Sequence, residues 1–269
     1  MATAAKFKNR RNTTSDKVAI ITGASQGIGQ ATAIRLAREF SRLVLVARNR
    51  ANLAETAKAV EGAGAETLIV DVDLAEPAAA QAVVDKALAA FGRIDALLNI
   101  AGAVPQIDVF DMTDKQWNDG MALKLHGARR LTIAAWQALK ASNGSVVLMS
   151  GNSAVSPKAS NAAVGTINAA IAALAKAFSD RGIEDGVQVN SVLPGPVMTG
   201  RRRSYLEHWA PQHDMTVEEA TARFPKEAGI ARYGEPEEIA ELMAFLVSPA
   251  AHWMTGATLR MDGGEVKSV

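Results

Sequence analysis

Thr22-Gly23-Ala24-Ser25-Gln26-Gly27-Ile28-Gly29 follows directly on the apolar run 17–22 and opens into an alanine-rich stretch, 29–39, with helical character. Glycine permits a tight turn and lets the backbone come close to a ligand. The N-terminus of the helix that follows offers free N–H groups and a partial positive charge, which together suit a pyrophosphate. A glycine triplet alone is a weak signal. Here a strand before it and a helix after it supply the context that gives it meaning. The stretch reads as the dinucleotide-binding turn of an α/β domain.

Outward from this turn, short β-branched runs alternate with long alanine-rich ones. Strands are expected at 17–22, 42–46, 67–70, 94–99, 144–150, 187–192 and 258–261, and helices at 29–39, 52–62, 77–91, 113–139, 162–181 and 236–246. Thr113 with Gln116 three residues on forms a capping-box pattern at the start of the fourth helix. The strands are near-continuous apolar runs, as expected for a parallel sheet covered by helices on both faces. Repeated βα units of this spacing imply an α/β fold, a doubly wound parallel sheet in one domain covering 16–269. The segment 200–229 is polar, reads as irregular, and stands out as an insertion.

Composition agrees. The chain has 269 residues, of which 48% are apolar, enough for a sizeable core, and its net charge of +1 suggests neither nucleic acid nor a membrane surface as partner. Lys6, Lys8, Arg10 and Arg11 make 1–15 a basic, flexible tail without the apolar region of a secretory signal. No run is read as approaching the roughly 20 apolar residues needed to span a bilayer. With no cysteine there are neither disulfides nor thiolate metal sites, and no metal is expected; the composition fits the cytoplasm.

Further motifs follow in order: Asp73-Leu74, Asn99-Ile100-Ala101-Gly102, Pro194-Gly195-Pro196-Val197-Met198-Thr199, Gly234-Glu235-Pro236-Glu237-Glu238-Ile239, Thr255-Gly256 and Asp262-Gly263-Gly264. With the TGxxxGxG turn, they make the chain resemble the classical-like short-chain dehydrogenase/reductase family over nearly its whole length. The resemblance implies a nicotinamide cofactor held by Gly23, Ser25, Gln26 and Ile28 in the turn. It also implies contacts from Asp73 and Leu74 to adenine, from Asn99, Ala101 and Gly102 after the fourth strand, and from Pro194, Gly195, Val197 and Thr199 near the nicotinamide. At the end of the second strand an acidic residue favours a ribose hydroxyl, whereas an arginine accommodates a 2′-phosphate. The chain has Ala47 and then Arg48 there, which favours NADP(H) over NAD(H); Gln26, where NADP-preferring relatives often carry a basic residue, argues the other way.

The same resemblance implies an Asn-Ser-Tyr-Lys tetrad, in which the tyrosine exchanges a proton with substrate and the lysine lowers its pKa. All four positions are changed, to Lys124, Gly151, Val164 and Asn168 in that order. No shift within the helix recovers the motif, because the only tyrosines are Tyr205 and Tyr233, although Ser150 and Ser153 flank the serine position. Val164 joins Ile167, Ile171, Leu174 and Phe178 in an apolar stripe and reads as packing surface. Lys124 and Asn168 look like an exchange of the family's asparagine and lysine. Lys124 then either supplies positive charge and a proton near the nicotinamide, or packs its stem and reaches for water. His126 is expected to be structural or at a subunit contact. The segment 200–229 occupies the family's substrate-lid position. Its Arg201, Arg202 and Arg203 either hold an anionic substrate or face solvent, and Tyr205 is a further candidate proton donor.

Three functions are compatible with an intact cofactor site beside an altered tetrad. The first is an oxidoreductase with a rebuilt site; the second is a non-catalytic NADP(H)-binding subunit or sensor; the third is a lyase or dehydratase using Lys124. Positioning of the reactants survives loss of the phenol, and an electrophilic substrate such as an iminium needs no proton at the hydride step. A small-molecule substrate, anionic or imine-like, is therefore expected, with simple ketones and alcohols poor. By resemblance, the helices starting near Thr113 and Ala162 pair across a two-fold axis in a homo-oligomer, a dimer or tetramer, of which the homotetramer is the commonest.

Overall fold

The computed structural model describes residues 16–268, so the basic tail lies outside the described residues. Seven parallel strands, β1 (Val18–Thr22), β2 (Arg42–Ala47), β3 (Glu66–Asp71), β4 (Ala96–Asn99), β5 (Ser145–Met149), β6 (Gln188–Pro194) and β7 (Thr258–Met261), form one sheet in the order β3-β2-β1-β4-β5-β6-β7. All five residues of β1 are buried. Val18 and Ile20 enter one core with α3 (Ala79–Phe91), α5 (Ala128–Ser142) and α6 (Ala162–Asp185), while Ala19 and Ile21 enter the other with α1 (Gly27–Leu36), α2 (Arg50–Gly62) and α9 (Pro236–Leu246). Because successive side chains of a strand point to opposite faces, both sets must be apolar, which is why β1 reads as an unbroken run.

The strand order reverses between β1 and β4, the switch point where open α/β sheets form their ligand crevice beyond the strands' carboxyl ends. The two loops that face each other there are tied together. The Thr22 hydroxyl accepts hydrogen bonds from the backbone N–H groups of Ile100 and Ala101, each at 2.9 Å.

Three elements differ from the sequence reading. The helix expected over 113–139 is α4 (Asp114–Gly120), a π-helical stretch Met121–Gly127, and α5, in one continuous rod. The capping box at Thr113 and Gln116 is present. Segment 200–229 is not irregular: it folds as α7 (Gly200–Trp209) and α8 (Val217–Ala228), joined by a short 3₁₀ turn. Leu206, Ala210, Ala220 and Tyr233 give it a small core of its own. Finally, Ala159–Asp185 is long and apolar enough to cross a membrane by length and composition, contrary to the expectation from the runs. Alanine and a few isoleucine, leucine and phenylalanine side chains supply that hydropathy, and the helix lies against the sheet with Ala163, Ile167, Ile171 and Ala175 buried while Lys176 and Asp180 face outward.

Candidate active site

The cleft at the switch point has a volume of about 430 Å³. Its walls include Gly23, Ser25, Gln26, Ile28, Arg48, Leu74, Ala101, Gly102 and Thr199, all expected from sequence. Gly27, Ala47, Asn49, Asn52, Ile100, Met149 and Arg201 also line it, and the sequence reading did not assign them to the cofactor. The other expected residues lie behind the walls. Asn99 is buried and donates to the Thr132 hydroxyl at 3.1 Å. Asp73 accepts from the backbone N–H of Ala75 and pairs with Arg48 at 3.6 Å. Val197 and Pro194 are buried, and Gly195 packs so tightly on Asp262 that an added Cβ would lie 2.6 Å from its Cα.

The residues present fit a dinucleotide. Gly23 has φ +68°, in the left-handed region open to glycine, and a Cβ there would press on Ala101 at 3.1 Å. At Gly29 a Cβ would lie 2.1 Å from the Gly23 carbonyl oxygen. The turn thus closes on itself and leaves bare backbone at the N-terminus of α1, the arrangement that receives a phosphate.

Beside this cleft three of the four expected tetrad positions, Lys124, Gly151 and Asn168, come together. Lys124 lies in the π-helical stretch, where the wider winding is often associated with function. Its stem runs along Gly102, where an added Cβ would lie 2.9 Å from Lys124 Cδ. Lys124 Nζ donates to the Ser150 carbonyl oxygen at 3.1 Å and to Asn168 Oδ1 at 2.5 Å. Asn168 Nδ2 in turn donates to Ser153 Oγ at 2.8 Å, and Ser150 Oγ donates to the Asn168 carbonyl oxygen at 2.6 Å. A lysine can only donate here, so the Asn168 amide is oriented with its oxygen towards Lys124 and its nitrogen towards Ser153. Desolvation, and then the charge of Arg201, lower the Lys124 pKa to about 8.

The other candidates are placed elsewhere. Val164 is half-buried in α6 and carries no polar atom to the site. Tyr205 packs its ring beneath Arg202, 5.5 Å from the guanidinium carbon, and does not line the cleft. Arg202 also sits over Phe224 and Tyr233, so it is a packing element of the small core. Arg201 alone of the three arginines lines the cleft, and it donates to the Gly102 carbonyl oxygen at 2.9 Å. His126 is partly buried with Nδ1 unpaired among the described residues, and burial, then Arg129 and Arg130, lower its pKa. Among the described residues there is no cluster of side chains able to hold a metal ion.

The enoyl-(acyl carrier protein) reductase model matches residues 23–265. The chain is 31% identical over 249 residues to the short-chain reductase protein NovJ of Streptomyces niveus, covering 93% of this chain and 94% of that one. It superposes with a TM-score of 0.90 and 30% identity on L-sorbose reductase from Gluconobacter frateurii complexed with NADPH and L-sorbose, over 94% of this chain and 97% of that one. An actinorhodin polyketide ketoreductase variant with NADPH gives a TM-score of 0.89 at 29% identity, over 95% and 99%. Glycine turn, strand order and ordered motifs agree with these matches, and the chain belongs to the short-chain dehydrogenase/reductase family, a family of oxidoreductases.

Proposed function

We propose that this protein is an NADP(H)-dependent reductase in which Lys124, held by Asn168, replaces the missing tyrosine–lysine pair. The observation that carries the reading is the ammonium itself. Two of its three N–H donors have partners among the described residues, leaving one for a substrate oxygen or nitrogen. Its pKa near 8 keeps it mostly protonated at neutral pH yet able to give up the proton, which is what a general acid needs. Arg48 on the cleft wall, together with the NADPH held by the two solved relatives, supports NADP(H) over NAD(H).

When bound, the reduced nicotinamide supplies a hydride to an electrophilic carbon. The chain's own part is to hold the cofactor through the glycine turn and Thr199, and to place positive charge where the substrate heteroatom gains electrons. Lys124 and Arg201 lie near enough to each other for Arg201 to depress the lysine's pKa, so a cationic substrate is repelled. Of the two classes expected from sequence, this favours an anionic one, and keeps the imine-like one in its neutral form. Helices α7 and α8 form the lid over that substrate, and α5 and α6 carry the contacts of a homo-oligomer.

The test is NADPH oxidation across a panel of simple ketones, carboxylate-bearing carbonyl compounds and neutral imines. The reading expects turnover of the last two classes and weak turnover of simple ketones, with NADPH bound more tightly than NADH. NADPH binding without oxidation of any of them would instead favour a binding subunit or sensor. Brisk reduction of simple ketones, or tighter NADH binding, would contradict the reading.

A further inference from the structure

Helix α7 begins against the glycine turn. Its N-cap, Thr199, accepts from the Arg202 backbone N–H at 3.3 Å, and a Cβ on Gly27 would lie 3.3 Å from the Thr199 methyl group. Two residues further on, Arg201 reaches from the lid to the Gly102 carbonyl oxygen on the opposite loop. That bond uses one of the five N–H donors of the guanidinium, and the rest of the fork remains on the wall of the cleft that the glycine turn lines. Although the residue as a whole is exposed, desolvation of its guanidinium and then the charge of Arg48 lower its pKa, so Arg201 and Arg48 bring two like charges towards one cavity. Ser150 and Asn168, which accept from the Lys124 ammonium, do not line this cavity. An anion held by the free part of the Arg201 fork therefore lies in the cavity that the glycine turn lines.

We propose that Arg201 is a second phosphate contact for the dinucleotide, delivered by the lid helix, so that cofactor binding and lid position are coupled. This rests on the NADP(H) reading above. The Gly102 bond holds the guanidinium across the cleft before any ligand arrives, which limits the side-chain freedom lost on binding.

The test compares fluorescence titrations of NADPH and of adenosine 2′-monophosphate, which carries the 2′-phosphate but neither phosphate of the pyrophosphate nor the nicotinamide half. In Arg201→Gln, NADPH affinity should fall about tenfold or more, the scale of losing one charge-assisted contact, while affinity for the 2′-monophosphate stays within about twofold. Arg201→Lys, which keeps the charge without the fork, should fall between wild type and Arg201→Gln. Arg48→Ala should weaken both ligands. NADPH should also slow chymotryptic cleavage within 200–229 in the wild type, and do so less in Arg201→Gln. Unchanged NADPH affinity in Arg201→Gln, or an equal loss for both ligands, would overturn the assignment. A wild type that binds neither ligand would remove the cofactor reading itself, a result distinct from failure of the Arg201 contact alone.

Discussion

A side-chain carbon built at Gly151 would lie 2.5 Å from Asn168 Nδ2, so the Asn168 amide leaves no room for a side chain at 151. In the proposed reading the changes at 151 and 168 form one rearrangement, with Ser153 accepting from the Asn168 amide. The family resemblance marks Lys124 and Asn168 as an exchange of asparagine and lysine, and the two are hydrogen-bonded in the structure. The bonds among Lys124, Asn168, Ser150 and Ser153 were not legible in the sequence, because they join residues far apart in the chain. Arg201 was visible only as one of three arginines; the fold separates it from Arg202, which is spread over three aromatic rings. Lys124 also sets a pH dependence. Its folded pKa is lowered to about 8, so the proton it gives in the reductive direction is present below that pH and lost above it. Reductive turnover at saturating NADPH should fall as pH rises through about 8. A flat profile from pH 7 to 9 would exclude the lysine as proton donor.

At the scale of elements, the parallel strands and their covering helices were readable because both sheet faces demand apolar side chains, and α9 and β7 match their expected bounds. The helices of 200–229 escape a sequence reading for a physical reason. Helix α7 buries only Leu206, so it carries almost no periodic apolar signal. The capping box of Thr216 and Glu219 at the start of α8 lies in a polar stretch with little apolar periodicity to support it, and Pro225 inside it argues against a helix. The π-helical turn carrying Lys124 has no sequence signature separate from an α-helix. The glycine turn, by contrast, was legible as a turn between a strand and a helix. Gly29→Ala would place a methyl group against the Gly23 carbonyl, overpacking worth about 1–3 kcal/mol. Melting temperature should fall by roughly 2–4 °C for each kcal/mol, and NADPH affinity should drop with it. An unchanged melting temperature and affinity would show that the turn relaxes freely.

For the whole molecule, the described surface leaves Ile133 on α5 53% exposed and Ile183 on α6 70% exposed, on the two helices expected to pair across a two-fold axis. Isolated apolar residues on a surface are ordinary, but these lie on the helices the family resemblance marks as an interface. Sedimentation should give the mass of a dimer or tetramer, and Ile133→Arg with Ile183→Arg should shift it towards smaller species. A monomer in the wild type would rule the contact out. The central claim, that Lys124 carries the chemistry of the missing tetrad, is tested most directly by single-turnover reduction in Lys124→Met at saturating NADPH. The account predicts a loss of about 10²–10⁴-fold, the range general acid–base catalysis typically supplies, with NADPH affinity unchanged. A rate equal to that of the wild type would contradict it.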